Sequence, residues 1–254
     1  MSDLERNILI PRYYNRAYLT KLEAYTDANE CDLVRIADLE DDGVVSIYRG
    51  HGGMKSQWYD PHAPIPYIRT SNISGLEVEA HSNHVMRVAE AHYERKSRGR
   101  GRTTIRAGDV LFVKRGEDRI GDVAIVYDGF EKILTAAEID VVRVDELENE
   151  HGLTPHLLLY LLAHPQVRAQ YEHKTFYETI IWNVADRWRQ VLLPIPRDSD
   201  VRQAITDRVK SVVEKRRQGL IEIRDLWERP VLPFADDPEL VPTLEAVEAE
   251  PVEP

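Results

Sequence analysis

A chain of 254 residues, 43% hydrophobic and 30% charged, can bury one substantial core or two small ones, and its composition is that of a globular protein rather than a fibre or a disordered chain. Its single cysteine, Cys31, excludes an internal disulfide and a thiolate metal cluster; MSDLERN has no apolar core resembling a secretion signal and the apolar run Leu157 to Ala163 is too short to span a bilayer, so a cytoplasmic protein is expected. The formal net charge of −11 argues at first against nucleic acid as a partner.

In chain order, PRYYNRAYLTKLEAYT spaces its aromatic and aliphatic residues as a helix does, and CDLVRIADLEDDGVVSIYRGHGG reads as a short element, an acidic turn and a strand. Pro64 and Pro66 forbid helix and bring the chain in extended. Tyr67 and Ile68 then enter a strand whose end carries the donors and acceptors Arg69, Thr70, Ser71 and Asn72. Val85 to Tyr93 reads as a short helix feeding RKSRGRGRTTIR, where Arg95, Lys96, Arg98, Arg100, Arg102 and Arg106 stand with no acid among them and glycine and serine imply flexibility. Such a run is commonly a solvated loop. This one leads straight into a hairpin, RAGDVLFVKRGEDRIGDVAIVYDG, whose apolar runs Val110 to Val113 and Ile120 to Val126 are strands and whose connection crowds Lys114, Arg115 and Arg119 around Gly116. The expectation is that all these cations lie on one edge of one sheet.

EIDVVRVD supplies a further strand, and at LTPHLLLYLLAHPQVRAQYEHK the apolar period changes to helical, with Thr154 and Pro155 as cap and first turn and Pro165 as a break. NVADRWRQVLLPIP reads as a short helix or turn running into a strand. Asp198 or Ser199 then caps the longest helix, about 40 Å at its residue count, whose apolar positions Val201, Ile205, Val209, Val212, Leu220, Ile223 and Trp227 make a coiled-coil stripe interrupted by Gly219. The alternative is an amphipathic helix folded back on its own sheet. The closing ADDPELVPTLEAVEAEPVEP holds seven acids and no base, so it accounts for seven of the eleven net negative charges and leaves −4 for the rest. It reads as a disordered, solvating tail. Division of the chain into 1–197, a folded domain, 198–230, the long helix, and 231–254, the acidic tail, follows.

Sequence signs of catalysis are absent. Placing GHGGMKS on the phosphate-loop pattern sets Arg49 and Met54 where its glycines belong, and His81 and His84 have no Cys or acid at zinc-like spacing, so no metal site is expected. Asp109, Asp122, Asp128, Glu138 and Asp140 invite comparison with magnesium nucleases, yet the acid-x-Lys triplet is missing after a suitable strand. A divergent Mg²⁺-dependent nuclease using Asp122 and Asp128, and an adaptor that binds protein through the long helix, stay open as alternatives.

Taken together and in order, IPYIRTSNISGLEV, GDVLFVKRGEDRIGDVAIV, EIDVVRV, LTPHLLLYLLAHPQVRAQ and LLPIPRDSDVRQAITDRV resemble the target recognition domain of type I restriction-modification specificity (S) subunits, over about Ile65 to Trp227. The resemblance implies an α/β (α+β) fold, a mixed-sheet recognition domain followed by a long coiled-coil-type helix. It also implies a non-catalytic subunit that reads double-stranded DNA and recruits an adenine methyltransferase (M) subunit and, in restriction complexes, a restriction (R) subunit. No cofactor is expected in this chain; S-adenosylmethionine belongs to the methyltransferase. Carried over, Arg69, Thr70, Ser71 and Asn72 with Lys114, Arg115, Gly116 and Arg119 resemble the DNA-contacting segments, and Arg98, Arg100 and Arg102 would grip backbone. Family subunits carry two modules with paired helices, whereas this chain has one of each. It is similar to a half-subunit, which implies a homodimer through the long helix or a lone module in another methyltransferase-based phage-defence assembly.

Overall fold

The computed structural model describes residues 15, 17–80, 84–116, 118–145, 148–178 and 181–227, and the acidic tail expected at 231–254 lies outside the described residues. Helix α1 (Ala17–Ala28) buries Leu22 and Thr26 and turns through Glu30 into β1 (Cys31–Arg35). Helix α2 (Ile36–Asp41) and the acidic turn at Gly43 follow, and the chain then extends as β2 (Val45–Arg49). Next come β3 (Ile65–Ile68), a 3-10 turn at Thr70–Asn72, and the small hairpin of β4 (Ile73–Ser74) and β5 (Glu77–Val78).

The stretch read as one helix from Val85 is instead β6 (Met86–Val88) followed by α3 (Glu90–Ser97). Met86 and Val88 pair with Tyr67 and Ile65 of β3, a long-range ladder that local spacing does not encode. The hairpin forms as β7 (Val110–Val113) and β8 (Val123–Ile125), with Ile120 left in the connection. After β9 (Leu134–Thr135) and β10 (Ile139–Val144) the helical period produces α4 (Pro155–Ala163), where the Thr154 hydroxyl accepts from the Leu157 N–H at 3.1 Å. Pro165 both breaks the run and restarts it, as the first residue of α5 (Pro165–Lys174). The hairpin of β11 (Phe176–Glu178) and β12 (Ile181–Asn183) precedes β13 (Leu192–Pro196), which pairs antiparallel with β1.

The architecture is α+β, with a long C-terminal helix, α6 (Ser199–Trp227). Its centre is a four-stranded sheet in the order β2-β10-β7-β8, beside a three-stranded sheet β6-β3-β9. Every residue of β7 and β10 is buried. On one face Leu111, Val113, Ile139 and Val141 pack with Ile65, Tyr67 and Ile68. On the other, Phe112 stacks on Trp188 at 4.3 Å and meets the edge of Tyr171 at 5.2 Å, which explains why β7 reads as a continuous apolar run.

The Asp198 carboxylate accepts from the Asp200 N–H at 2.7 Å, capping α6 as expected. The chain divides into two compact units, residues 1–211 and 212–254. Within α6, Val201, Val212, Leu220 and Ile223 are exposed, Ile205 and Val209 are half-buried, and the Trp227 side chain lies outside the described residues. Leu226 extends the exposed stripe, while Thr206 is buried and its hydroxyl lies 2.9 Å from that of Thr154. The first turns of the helix thus dock through Thr206.

Candidate nucleic-acid interface

Strands β2 and β7 both pair antiparallel with β10, so they run parallel to each other and finish at the same end of the sheet. Arg49 closes β2 there, in register with Asp140, and Lys114 to Gly116 leave β7 beside it, with the Lys114 N–H donating to the Glu138 carbonyl at 2.9 Å. A cavity of about 240 Å³ opens at this point, lined by Arg49, Lys114, Arg115 and Asn183 together with Asp186. The basic run reaches the same place, because the Arg49 N–H donates to the Gly101 carbonyl at 2.7 Å. So does the turn after β3: Arg119 Nη1 donates to the Ile73 carbonyl at 2.9 Å, one residue past Asn72. The three segments singled out in the sequence thus meet where the strands end, not along the sheet's long edge.

The basic run is pinned at Gly101 to Thr104. Besides the Arg49–Gly101 bond, the Thr104 carbonyl accepts from Arg143 Nη2 at 2.9 Å, and Arg143 is itself held by both oxygens of the buried Asp109 at 2.7 and 2.8 Å. The Thr103 carbonyl accepts from His51 Nε2–H at 3.0 Å, the tautomer required because His51 Nδ1 accepts from the Thr135 N–H at 2.9 Å. The GHGG string that fails as a phosphate loop has a different use. A Cβ on Gly50 would sit 2.0 Å from the Ala136 carbonyl oxygen, and one on Gly52 would sit 2.9 Å from the guanidinium of Arg102. These glycines let the turn from Ala136 to Ile139 and the Arg102 side chain approach the backbone closely. Arg98 and Arg100 project from this braced loop and are exposed, while Arg102 is half-buried.

His51 makes the brace sensitive to acid. Burial, with smaller contributions from the charges of Arg102 and Lys96, pushes its pKa down to about 4 from the ordinary 6.5. Between those values the unfolded chain binds more protons than the folded one, so the stability His51 contributes is complete above pH 6.5 and is lost as pH falls towards 4, at up to about 1.4 kcal/mol per pH unit. Urea titrations of His51→Gln should show lower stability at pH 7 and a shallower acid limb than the wild type. The limb should not vanish, because burial also lowers His156 and His164. An unchanged acid limb would remove His51 from the brace.

Several residues expected to touch DNA are occupied within the protein. Lys114 is 15% exposed, and its Nζ donates to Asp140 Oδ1 at 2.5 Å; Asp140 is 1% exposed and also accepts from Trp188 Nε1 at 3.2 Å. Asn72 is 3% exposed, and its Oδ1 accepts from the Arg69 N–H at 3.0 Å, so it shapes the turn and has no free surface to read a base. Arg119 holds the Ile73 carbonyl and lies 3.6 Å from Asp122, although its side chain is 43% exposed. Gly116 sits at φ +142, a left-handed conformation that favours glycine, with its N–H donating to the Trp182 carbonyl at 3.1 Å. Ser71 is exposed; Thr70, Arg69 and Arg115 are half-buried, and the two arginines each have a buried Nε without a hydrogen-bond partner among the described residues. Asp122, weighed as a magnesium ligand, sits between Arg119 and Arg168, the latter at 3.2 Å.

Sequence reading missed that Arg95 and Lys96 of the basic run gather with Lys55 around Trp58. The indole stacks on His92 at 4.5 Å, with the Arg95 guanidinium 4.5 Å, Lys55 Nζ 5.5 Å and Lys96 Nζ 5.9 Å from the ring centre. Lys96 Nζ also donates to the Gly53 carbonyl at 3.2 Å, and partial burial followed by the like charges of Arg102 and Arg95 lowers its pKa. Cations crowded around an aromatic face make a strong local field for an anion. The only sequence signal was the three-residue spacing of Lys55 and Trp58, and of His92 and Arg95; nothing local joins the two pairs.

Among the described residues no group of His, Cys, Asp or Glu is placed to hold a metal ion, and no helix is long and apolar enough to cross a membrane. No protein-family model and no curated protein matches this sequence. Among solved structures, the chain is similar to a type I restriction-modification S subunit from M. genitalium (TM-score 0.48, 14% identity, covering 78% of this chain and 43% of that one). It is similar also to the HsdS subunit from Thermoanaerobacter tengcongensis (0.44, 14%, 80% and 41%) and to the type IIG restriction endonuclease BpuSI (0.47, 10%, 78% and 28%). The chain spans less than half the length of each of these structures.

Proposed function

We propose that this protein is a sequence-specific DNA-recognition subunit of a type I-like restriction-modification system, cytoplasmic and without a catalytic site of its own. It grips a duplex through the cationic end of its central sheet and directs a partner adenine methyltransferase, which carries the S-adenosylmethionine, to the target; a restriction subunit would join the same assembly. One observation carries this reading: Arg49 and Arg115 line one cavity where β2 and β7 end, and the loop that bears Arg98, Arg100 and Arg102 is tied to Arg49 through Gly101, although the whole chain is acidic. Affinity built on phosphate contacts falls steeply as salt rises, because each contact releases condensed counterions. Binding of short duplexes measured across a salt series tests the reading; affinity for no duplex even in dilute buffer would overturn it.

The exposed stripe of α6 supports self-association as part of the same proposal. Two copies pairing their α6 helices would set two recognition modules on inverted half-sites. Leu220→Glu with Ile223→Glu should then halve the mass found by analytical ultracentrifugation. A dimer that survives both substitutions, or a wild type that is monomeric at all concentrations, would remove the helix from that role.

A further inference from the structure

Among the described residues, the large hydrophobic side chains that stand exposed all belong to α6 except one, Tyr177, which is 61% exposed. It lies on β11 directly across from Trp182 on β12, and the two rings meet edge to face at 5.3 Å. On the other face of this hairpin Phe176 is 9% exposed and lies beneath the Arg187 guanidinium at 4.0 Å. The ribbon therefore has an anchored side and an aromatic side.

Its position joins it to the cationic end. The Val184 N–H donates to the Lys114 carbonyl at 3.0 Å, the Gly116 N–H donates to the Trp182 carbonyl, and Arg115 bridges Asn183. Asn183 lines the cavity shared with Arg49, Lys114 and Arg115, and Trp182 lines a second cavity, of about 400 Å³, with Ile120, Arg168 and Tyr171. An aromatic ring held by a rigid neighbour loses little freedom on binding, so it is suited to stacking. Within an intact duplex the base faces are covered by their neighbours, which leaves an extrahelical or unpaired base as the surface such a ring can meet. Enzymes that modify a base in a duplex first take it out of the stack. Extraction leaves its former partner unpaired.

We propose that Tyr177, backed by Trp182, stacks on an unpaired base of DNA held at the cationic end of the sheet. The inference rests on the DNA-recognition reading and adds to it a preference for opened over fully paired DNA, one that is independent of target sequence because every base has a π-face.

Two probes test it with the full chain: a fully paired duplex, and the same duplex carrying one bulged nucleotide, each followed by fluorescence anisotropy. The wild type should bind the bulged probe roughly tenfold more tightly, about 1.4 kcal/mol, within the range of one base–aromatic stack. Tyr177→Ala should erase that preference and leave affinity for the paired probe unchanged, and Tyr177→Trp should keep it. Equal affinity of the wild type for both probes, or a preference that persists in Tyr177→Ala, would overturn the inference alone. Binding of neither probe would bring down the DNA-recognition reading as well.

Discussion

Replacing Lys114 with methionine should destabilise the fold by about 3–5 kcal/mol at neutral pH, because it strands a buried carboxylate. Asp140 is almost wholly enclosed, and its two oxygens are served by Lys114 Nζ and Trp188 Nε1. Burial already raises the Asp140 pKa above its ordinary value, outweighing the Lys114 charge that opposes it. Without Lys114 the carboxyl would be raised further and would take up a proton. The folded state would then bind more protons than the unfolded state above the ordinary carboxyl pKa, so the variant should lose stability as pH rises and recover part of it as pH falls. Urea unfolding of the wild type and Lys114→Met from mildly acidic to neutral pH measures this. If the variant matched the wild type in stability and lost only its affinity for DNA, Lys114 would be a phosphate ligand after all.

Charge reversal at two exposed positions should have the opposite signature. Arg98→Glu with Arg100→Glu should leave thermal unfolding unchanged and lower DNA affinity on the order of 10²- to 10³-fold in dilute buffer, because two phosphate contacts become repulsions. The slope of log affinity against log salt should fall by about two, as expected for two fewer phosphates neutralised. Both side chains project from a loop whose backbone is fixed by Arg49, His51 and Arg143, so the loop should keep its shape when they change. An undiminished affinity or salt slope would place the contact surface elsewhere.

The contrast between these variants shows what local pattern reveals and what it hides. Apolar β-branched runs, caps and prolines located β7, β10, α4 and the start of α6, because each depends on neighbours within a few residues. The Arg95–Arg106 run was legible for the same reason: a cluster without acids is visible in one line of sequence. Lys114 looked equally free, since its partner Asp140 arrives from another strand and only sheet pairing sets the two side by side. Asn72 looked like a base reader, yet the turn consumes its side chain. The group around Trp58 was hidden by the same rule, with Lys55 and Trp58 on a loop after β2 and His92, Arg95 and Lys96 on α3. Val85 to Tyr93 was misread because β3 recruits Met86 and Val88 from a distance. Local signals found the positive charge; tertiary pairing decided which of it is spare.

The shared direction of β2 and β7 has a consequence for how such a protein changes over generations. Loops that leave parallel strands on one side can be rewritten without disturbing the layers beneath, provided a strut such as Lys114 is kept. What the molecule prefers to hold and how firmly it holds itself together then become separable traits. A lineage can exchange one while the other stands still.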